Sequence, residues 1–155
     1  MKVIDDIDIA KLRKRSEALC AREEHCDYDI EQKLFSWGAS PKQVAIVIEY
    51  LHEADFLNDE RYARLYCVGK NRQLKWGKVK IAYQLRMKRV EEHAIAVGLD
   101  AIDEEEYRNG LLKLAQQKWE LIREADRYVK EGKVCGFLQG KGYEMYEIRN
   151  VIKLL

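Results

Sequence analysis

IEQKLFSWGASPKQVAIVI, residues 30–48, reads as two short helices joined by a tight turn. Ile30 and Leu34 stand one helical turn apart and share a face. Gly38 suits the left-handed position just past a helix end. Ser40 then fits the N-cap of a second helix. Pro41 takes its first position and Gln43 is placed to complete a capping box. Val44 and Ile48 again lie one turn apart. With Ala39 in the turn, apolar residues fall at −4, 0, +5, +10 and +14 relative to Leu34.

The same offsets recur twice. Around Leu85 they are filled by Ile81, Val90, Ile95 and Leu99; around Leu138 by Val134, Tyr143, Ile148 and Ile152. The anchors are 51 and 53 residues apart. Five apolar positions matching three times in register mark a repeated unit rather than a coincidence. Gly142 takes the place of Gly38 in the third unit, whereas Arg89 stands there in the second, so that turn must form without glycine. Each unit also has a preceding helix. In the first it covers residues 9–24. In the second it starts after Asn58-Asp59, either of which can cap it, and carries Tyr62, Leu65, Tyr66 and Val68. In the third, Asp103 is the cap with Glu106 three residues on, and Leu111, Leu112, Leu114 and Ala115 build the stripe. Residues 121–128 are compatible with a break or a continuation. Strand-like alternation is hard to find. The expected fold is all-α: three tandem three-helix repeats at residues 9–54, 55–102 and 103–155. Such small bundles bury little core alone, so they are expected to stack into an elongated, curved array.

Composition narrows the function. Of 155 residues, 47% are hydrophobic and 35% charged, which excludes a disordered chain. The longest apolar run, VAIVI, is far short of the roughly 20 residues that span a bilayer. The opening MKVIDDIDIAKLRKR lacks the apolar centre of a secretory leader. The four cysteines form no CxxC pair, and reduced thiols in the cytoplasm are expected. Cys20, His25 and Cys26 match no zinc spacing, so no metal or cofactor is expected. There is no phosphate-binding GxxxxGK[ST]. The glycines of GFLQGKG, residues 136–142, fall in and after a predicted helix, with Gly142 as its terminator. The acids Asp103, Glu104, Glu105 and Glu106 sit at a helix start, where the macrodipole favours them. No nucleophile has an evident base, and the chain does not read as an enzyme.

The net charge of +1 hides a division. Residues 1–54 carry 8 basic and 11 acidic groups, residues 55–102 carry 10 and 6, and residues 103–155 carry 10 and 10. The basic groups of the middle third all lie between Arg61 and Arg89, a span without Asp or Glu. A solvated helix face normally mixes signs, because opposite charges at i,i+4 stabilise it. Lys70, Arg72 and Lys75 near a helix end are partly explained by the dipole. Lys78 and Lys80 near the next helix start, and Arg86, Lys88 and Arg89 at its end, are not. Trp76 fits core packing or a stacking anchor, and Gly77 permits a sharp turn or a close backbone approach. The span fits phosphates or an acidic protein groove; no base-reading helix-turn-helix is evident.

FLNDERYARLYCVGKNRQLKWGKVKIAYQLRMKRV strongly resembles the second repeat of RecX regulatory proteins. The residues that carry the likeness are Phe56-Leu57-Asn58-Asp59-Glu60-Arg61-Tyr62-Ala63, Trp76-Gly77, Ile81 and Gln84-Leu85. AREEHCDYDIEQKLFSWGAS resembles the first repeat, and KVCGFLQGKGYEMYEI more loosely the third. The resemblance implies a non-enzymatic negative regulator of the RecA recombinase. Such a protein binds the groove of the RecA–single-stranded DNA filament. It lowers filament extension, ATP hydrolysis, strand exchange and cleavage of the SOS repressor, and so acts on DNA repair and homologous recombination. The implied partner is the RecA filament, with single- or double-stranded DNA as a further contact and no membrane; the chain itself is expected to be a monomer. The contact candidates are Arg61, Arg64, Lys70, Arg72, Lys75, Trp76, Lys78, Lys80, Arg86, Lys88 and Arg89. The near-neutral total charge shifts weight toward protein contact. The other reading of the cations is a sequence-independent nucleic-acid binder that acts without RecA.

Overall fold

The computed structural model describes the backbone of residues 2–155 and the side chains of residues 9–155. The leader reading of the N-terminus concerns in part residues 1–8, whose side chains lie outside the described residues. Nine helices and no strand appear among the described residues: α1 Lys2–Arg22, α2 Asp27–Ser36, α3 Pro41–Glu53, α4 Asp59–Leu74, α5 Lys78–Met87, α6 Glu92–Asp100, α7 Glu104–Leu121, α8 Arg127–Lys141 and α9 Met145–Ile152. α1 begins seven residues before the expected position 9. The chain breaks at residues 122–126, where Ile122 is extended and Asp126 caps α8 through the Tyr128 N–H at 2.8 Å.

The repeated turn has a single hydrogen-bond plan. The anchor carbonyl accepts from the residue at +5: Ala39 N–H to Leu34 O at 3.0 Å, Val90 to Leu85 at 3.1 Å, Tyr143 to Leu138 at 3.2 Å. This bond ties off the helix and turns the +5 side chain into the core. The residue before it is left-handed each time: Gly38 (φ 90°), Arg89 (φ 61°) and Gly142 (φ 98°). Arg89 adopts that conformation at about 1 kcal/mol, with its guanidinium 5.4 Å from the Tyr28 ring centre. The Ser40–Gln43 capping box forms as expected, and Asn58 rather than Asp59 caps α4.

Positions −4, 0, +5 and +10 are buried in all three units, but +14 is not. Ile48, Leu99 and Ile152 are half-buried, and the deep position is +13: Val47, Gly98 and Val151. Gly98 concealed it. A Cβ there would lie 2.6 Å from the Ala63 carbonyl oxygen and 2.8 Å from the Cys67 Sγ. The α4 stripe is corrected for the same reason. Its buried residues are Tyr62, Ala63, Cys67 and Asn71, while Leu65 is 60% exposed. Small side chains set the close α4–α6 approach, and a search for large apolar residues overlooks them.

The extensive helix–helix contacts all join helices of one unit. The cores are nevertheless two rather than three. Leu12, Ile30, Leu34, Val44, Val47 and Leu51 fill the first unit, joined by Leu57 from the α3–α4 connection. A second cluster runs without interruption from Tyr62, Ile81, Leu85 and Ile95 to Tyr107, Val134, Leu138 and Ile148, and takes in Cys26 from the α1–α2 connection. Fusing the second and third units gives a core larger than either unit contributes.

Candidate functional site

The candidate surface is built around the turn between α4 and α5. Lys75 ends α4 in the left-handed conformation (φ 60°), its N–H donating to Asn71 O at 3.0 Å. The buried Asn71 amide donates in turn to the Trp76 carbonyl at 3.0 Å. Helix ends leave unpaired backbone groups. Here the third unit supplies the partners. The Tyr143 hydroxyl donates to Lys75 O at 3.0 Å, and Lys141 Nζ to Leu74 O at 3.3 Å. The N–H groups of Gly77, Lys78 and Val79 donate to Lys141 O (2.7 Å), the Tyr107 hydroxyl oxygen (2.9 Å) and Gly142 O (2.9 Å). Burial pushes the Tyr107 phenol up and the Tyr143 phenol up to about 12, so both stay neutral. Gly77 has an ordinary φ of −77°, so the turn does not require glycine for conformation. A Cβ would overlap the backbone carbonyl of Gly142. The close backbone approach expected at Gly77 is thus made by this chain's own third unit.

The ten candidate cations divide in two. Six hold carboxylates of this chain. Arg61 pairs with Glu24 and, at 3.2 Å, with Asp55; Lys88 pairs with Asp29 at 2.9 Å. Glu24 and Asp29 belong to the first unit. Arg72 grips Glu106 with two bonds of 2.7 and 3.1 Å, and Lys78 pairs with Glu104, both acids of the third unit. Arg72 also holds the Glu106 carboxyl below the usual range. Arg64 meets Glu60 at 3.5 Å and Arg86 meets Glu92 at 2.5 Å inside the second unit. The uninterrupted cationic strip that the sequence suggests is therefore smaller in the folded chain, because acids distant in sequence fold onto it.

Among the described residues, Lys70, Lys75, Lys80 and Arg89 make no ion pair. Lys70 and Lys80 place their ammonium groups 5.4 and 4.8 Å from the Trp76 ring centre, and Lys70 lies 5.2 Å from Tyr66. Trp76 is half-buried, intermediate between the core and anchor roles. Its ring packs on the core cluster at its inner side and carries two lysines at its outer side. Lys75 is exposed beside it. Arg89 lies apart, at the junction with the first unit, over Tyr28.

One element of this surface was missed in the sequence. Val79, Tyr83 and Met87 are 50, 57 and 60% exposed and follow one another at i, i+4, i+8 along α5. They form an uncovered apolar stripe on the helix that carries Lys80. The spacing was legible, but the stronger pair Ile81 and Leu85 claimed the helix for the core. At the equivalent positions of the third unit stand Gly132, Gly136 and Gly140. The stripe therefore distinguishes the second unit.

Comparison with known proteins completes the picture. Family models for the second and third three-helix domains of RecX match residues 58–99 and 104–152. The regulatory protein RecX of Clostridium perfringens is 33% identical over 129 residues, 82% of this chain, and the chain spans about 60% of that relative's length. RecX of Clostridium acetobutylicum is 31% identical over 155 residues, covering 97% of this chain and 72% of the relative. The crystal structure of RecX from Lactobacillus salivarius superposes with a TM-score of 0.86 over 97% of both chains at 20% identity, a likeness of fold. A second RecX crystal structure gives 0.85 at 23% identity, over 95% of this chain and 73% of that one. Tandem helical triplets, two matched domain models and relatives along nearly the whole length agree: this chain belongs to the RecX family of regulatory proteins.

Proposed function

We propose that the chain is a negative regulator of RecA that lies in the groove of the RecA–single-stranded DNA filament. In this reading it restrains filament extension, ATP hydrolysis, strand exchange and repressor cleavage. The observation that carries the surface assignment is the Lys70–Trp76–Lys80 group with Lys75 beside it, next to the exposed Val79–Tyr83–Met87 stripe. Three unpaired charges and an aromatic suit phosphates or acidic side chains, and the apolar stripe suits a protein partner. The six cations already paired within the chain act first as internal ties. Exposed ion pairs contribute only about 0–1 kcal/mol, so a filament could exchange them.

The test compares two triple variants in RecA's DNA-dependent ATPase assay. Lys70→Glu, Lys75→Glu and Lys80→Glu together should abolish inhibition. Arg64→Glu, Arg86→Glu and Arg89→Glu, which change as many charges elsewhere in the unit, should weaken it less. Equal inhibition by the first variant and the native chain, both folded, rejects the surface. The lysine-flanked Trp76 also favours a second reading, single-strand binding without RecA. That reading requires affinity for single-stranded DNA alone, with a log–log salt slope of roughly −0.7 per phosphate neutralised.

A further inference from the structure

The first and second units meet at a group of side chains that the filament surface does not use. Asp27 opens α2, His52 lies in the last turn of α3 and Asp59 opens α4. His52 Nε2 stands 2.7 Å from Asp27 Oδ1. One ligating atom from each of the three residues lies within 4.8 Å of the other two. We propose that Asp27, His52 and Asp59 form a divalent-cation site that ties the first unit to the second.

Three observations support it. The donors come from three helices and both units, so no sequence spacing announces them. Asp59 is half-buried beside Asp27 and makes no ion pair among the described residues; the Asn58 side chain, not Asp59, caps α4. Asp59 and Asp27 bring carboxylate oxygens within 4.8 Å of one another in a half-buried place, where two like charges repel. A bound cation removes that conflict. Beside the trio opens a cleft of about 160 Å³ to which Glu31 and Glu91 add carboxylates. The cations of that cleft are turned to other partners: Lys88 to Asp29 and Arg89 to Tyr28.

One imidazole and two carboxylates are a mixed donor set. Imidazole favours zinc, nickel or copper, while magnesium and calcium prefer oxygen alone. Zinc bonds of about 2.0–2.2 Å put neighbouring tetrahedral ligand atoms about 3.4 Å apart. The trio reaches that by opening the 2.7 Å His52–Asp27 contact by about 0.7 Å and drawing Asp59, now within 4.8 Å, inward by at most about 1.4 Å. The His52 Nε2 lone pair must turn to the metal, so the hydrogen bond to Asp27 opens as the metal enters. The remaining position falls to water or to a cleft carboxylate.

The proposal is independent of the RecA reading, and its test contains no RecA. Zinc chloride is titrated calorimetrically into the full chain. One equivalent should bind, and magnesium chloride at least ten-fold more weakly. Asp59→Asn and His52→Gln should each weaken zinc at least ten-fold, while His25→Gln, outside the trio, leaves it unchanged. Neutralising Asp59 relieves the carboxylate conflict, so the metal-free variant should melt no lower than the native chain. Should it melt lower, His52→Gln alone carries the comparison. No saturable zinc binding, or equal weakening by His25→Gln and His52→Gln, overturns the proposal.

Discussion

Gly77→Ala tests whether the candidate surface is held in place by the third unit. The added methyl would occupy the space of the Gly142 carbonyl. Neither side can yield cheaply, since both are backbone. Gly142 is itself fixed in the left-handed conformation by the turn after α8. Forcing the two apart costs about 1–3 kcal/mol as overpacking. It also breaks the bonds from Gly77 N–H to Lys141 O (2.7 Å) and from Val79 N–H to Gly142 O (2.9 Å). Each contributes about 1 kcal/mol while made, and more if the donors stay dry. The expected loss is about 4 kcal/mol, a large share of an ordinary domain's stability. Guanidinium unfolding followed by far-ultraviolet circular dichroism measures it. Gly69→Ala is the control. It lies within α4, and a Cβ there meets nothing within 4 Å, so it should stabilise by about 0.5 kcal/mol. A Gly77→Ala loss below about 1 kcal/mol, with an unchanged denaturant slope, refutes the reasoning. It would mean that the two units separate at little cost and that the basic turn is not clamped.

Two further outcomes follow from burial and space. Gly132→Ala and Gly136→Ala on α8 each place a methyl in open space within a regular helix, and each should raise stability by about 0.5–1 kcal/mol in the same unfolding assay. A loss at either would show that the glycines serve a contact absent from the isolated chain. Burial pushes the Cys67 thiol up to about 12 and the Cys26 thiol up to about 11, so both should stay unreactive toward a thiol-disulfide reagent at pH 8. Mass spectrometry of chain labelled before and after unfolding checks this, and labelling of either in the folded state contradicts the packing.

The repeat was legible because its anchor leucines do two jobs. Leu34, Leu85 and Leu138 fill the core and also accept the turn-closing hydrogen bond. A side-chain pattern and a backbone pattern thus share one register. What escaped notice depended on small residues or on distance. Gly98, Ala63 and Cys67 set a close helix crossing without any large apolar signal. Gly77 was recognisable as a point of close approach, but nothing local identifies Gly142 as the neighbour. The cations were legible as a cluster, whereas their occupants were not. Glu24, Asp29, Glu104 and Glu106 are 26 to 59 residues away from Arg61, Lys88, Lys78 and Arg72. Asp27, His52 and Asp59 were hidden for the same reason.

The acid-free middle unit acquires a reason from these pairs. Facing charges of opposite sign add to the attraction between neighbouring units of a stacked array. Segregating cations into the second unit, with acids at the facing edges of the first and third, achieves that without adding apolar surface. Four of the six paired cations reach across units: Arg61 and Lys88 to the first, Arg72 and Lys78 to the third. Each exposed pair is weak, so apolar burial and the Gly77–Lys141 and Val79–Gly142 backbone bonds provide most of the holding, and the charges set the register. Lys70, Lys75 and Lys80 stand outside this scheme, and they gather around a tryptophan that the core holds by one side only. In the proposed reading, charge that the array does not need for its own assembly is the charge that faces a partner.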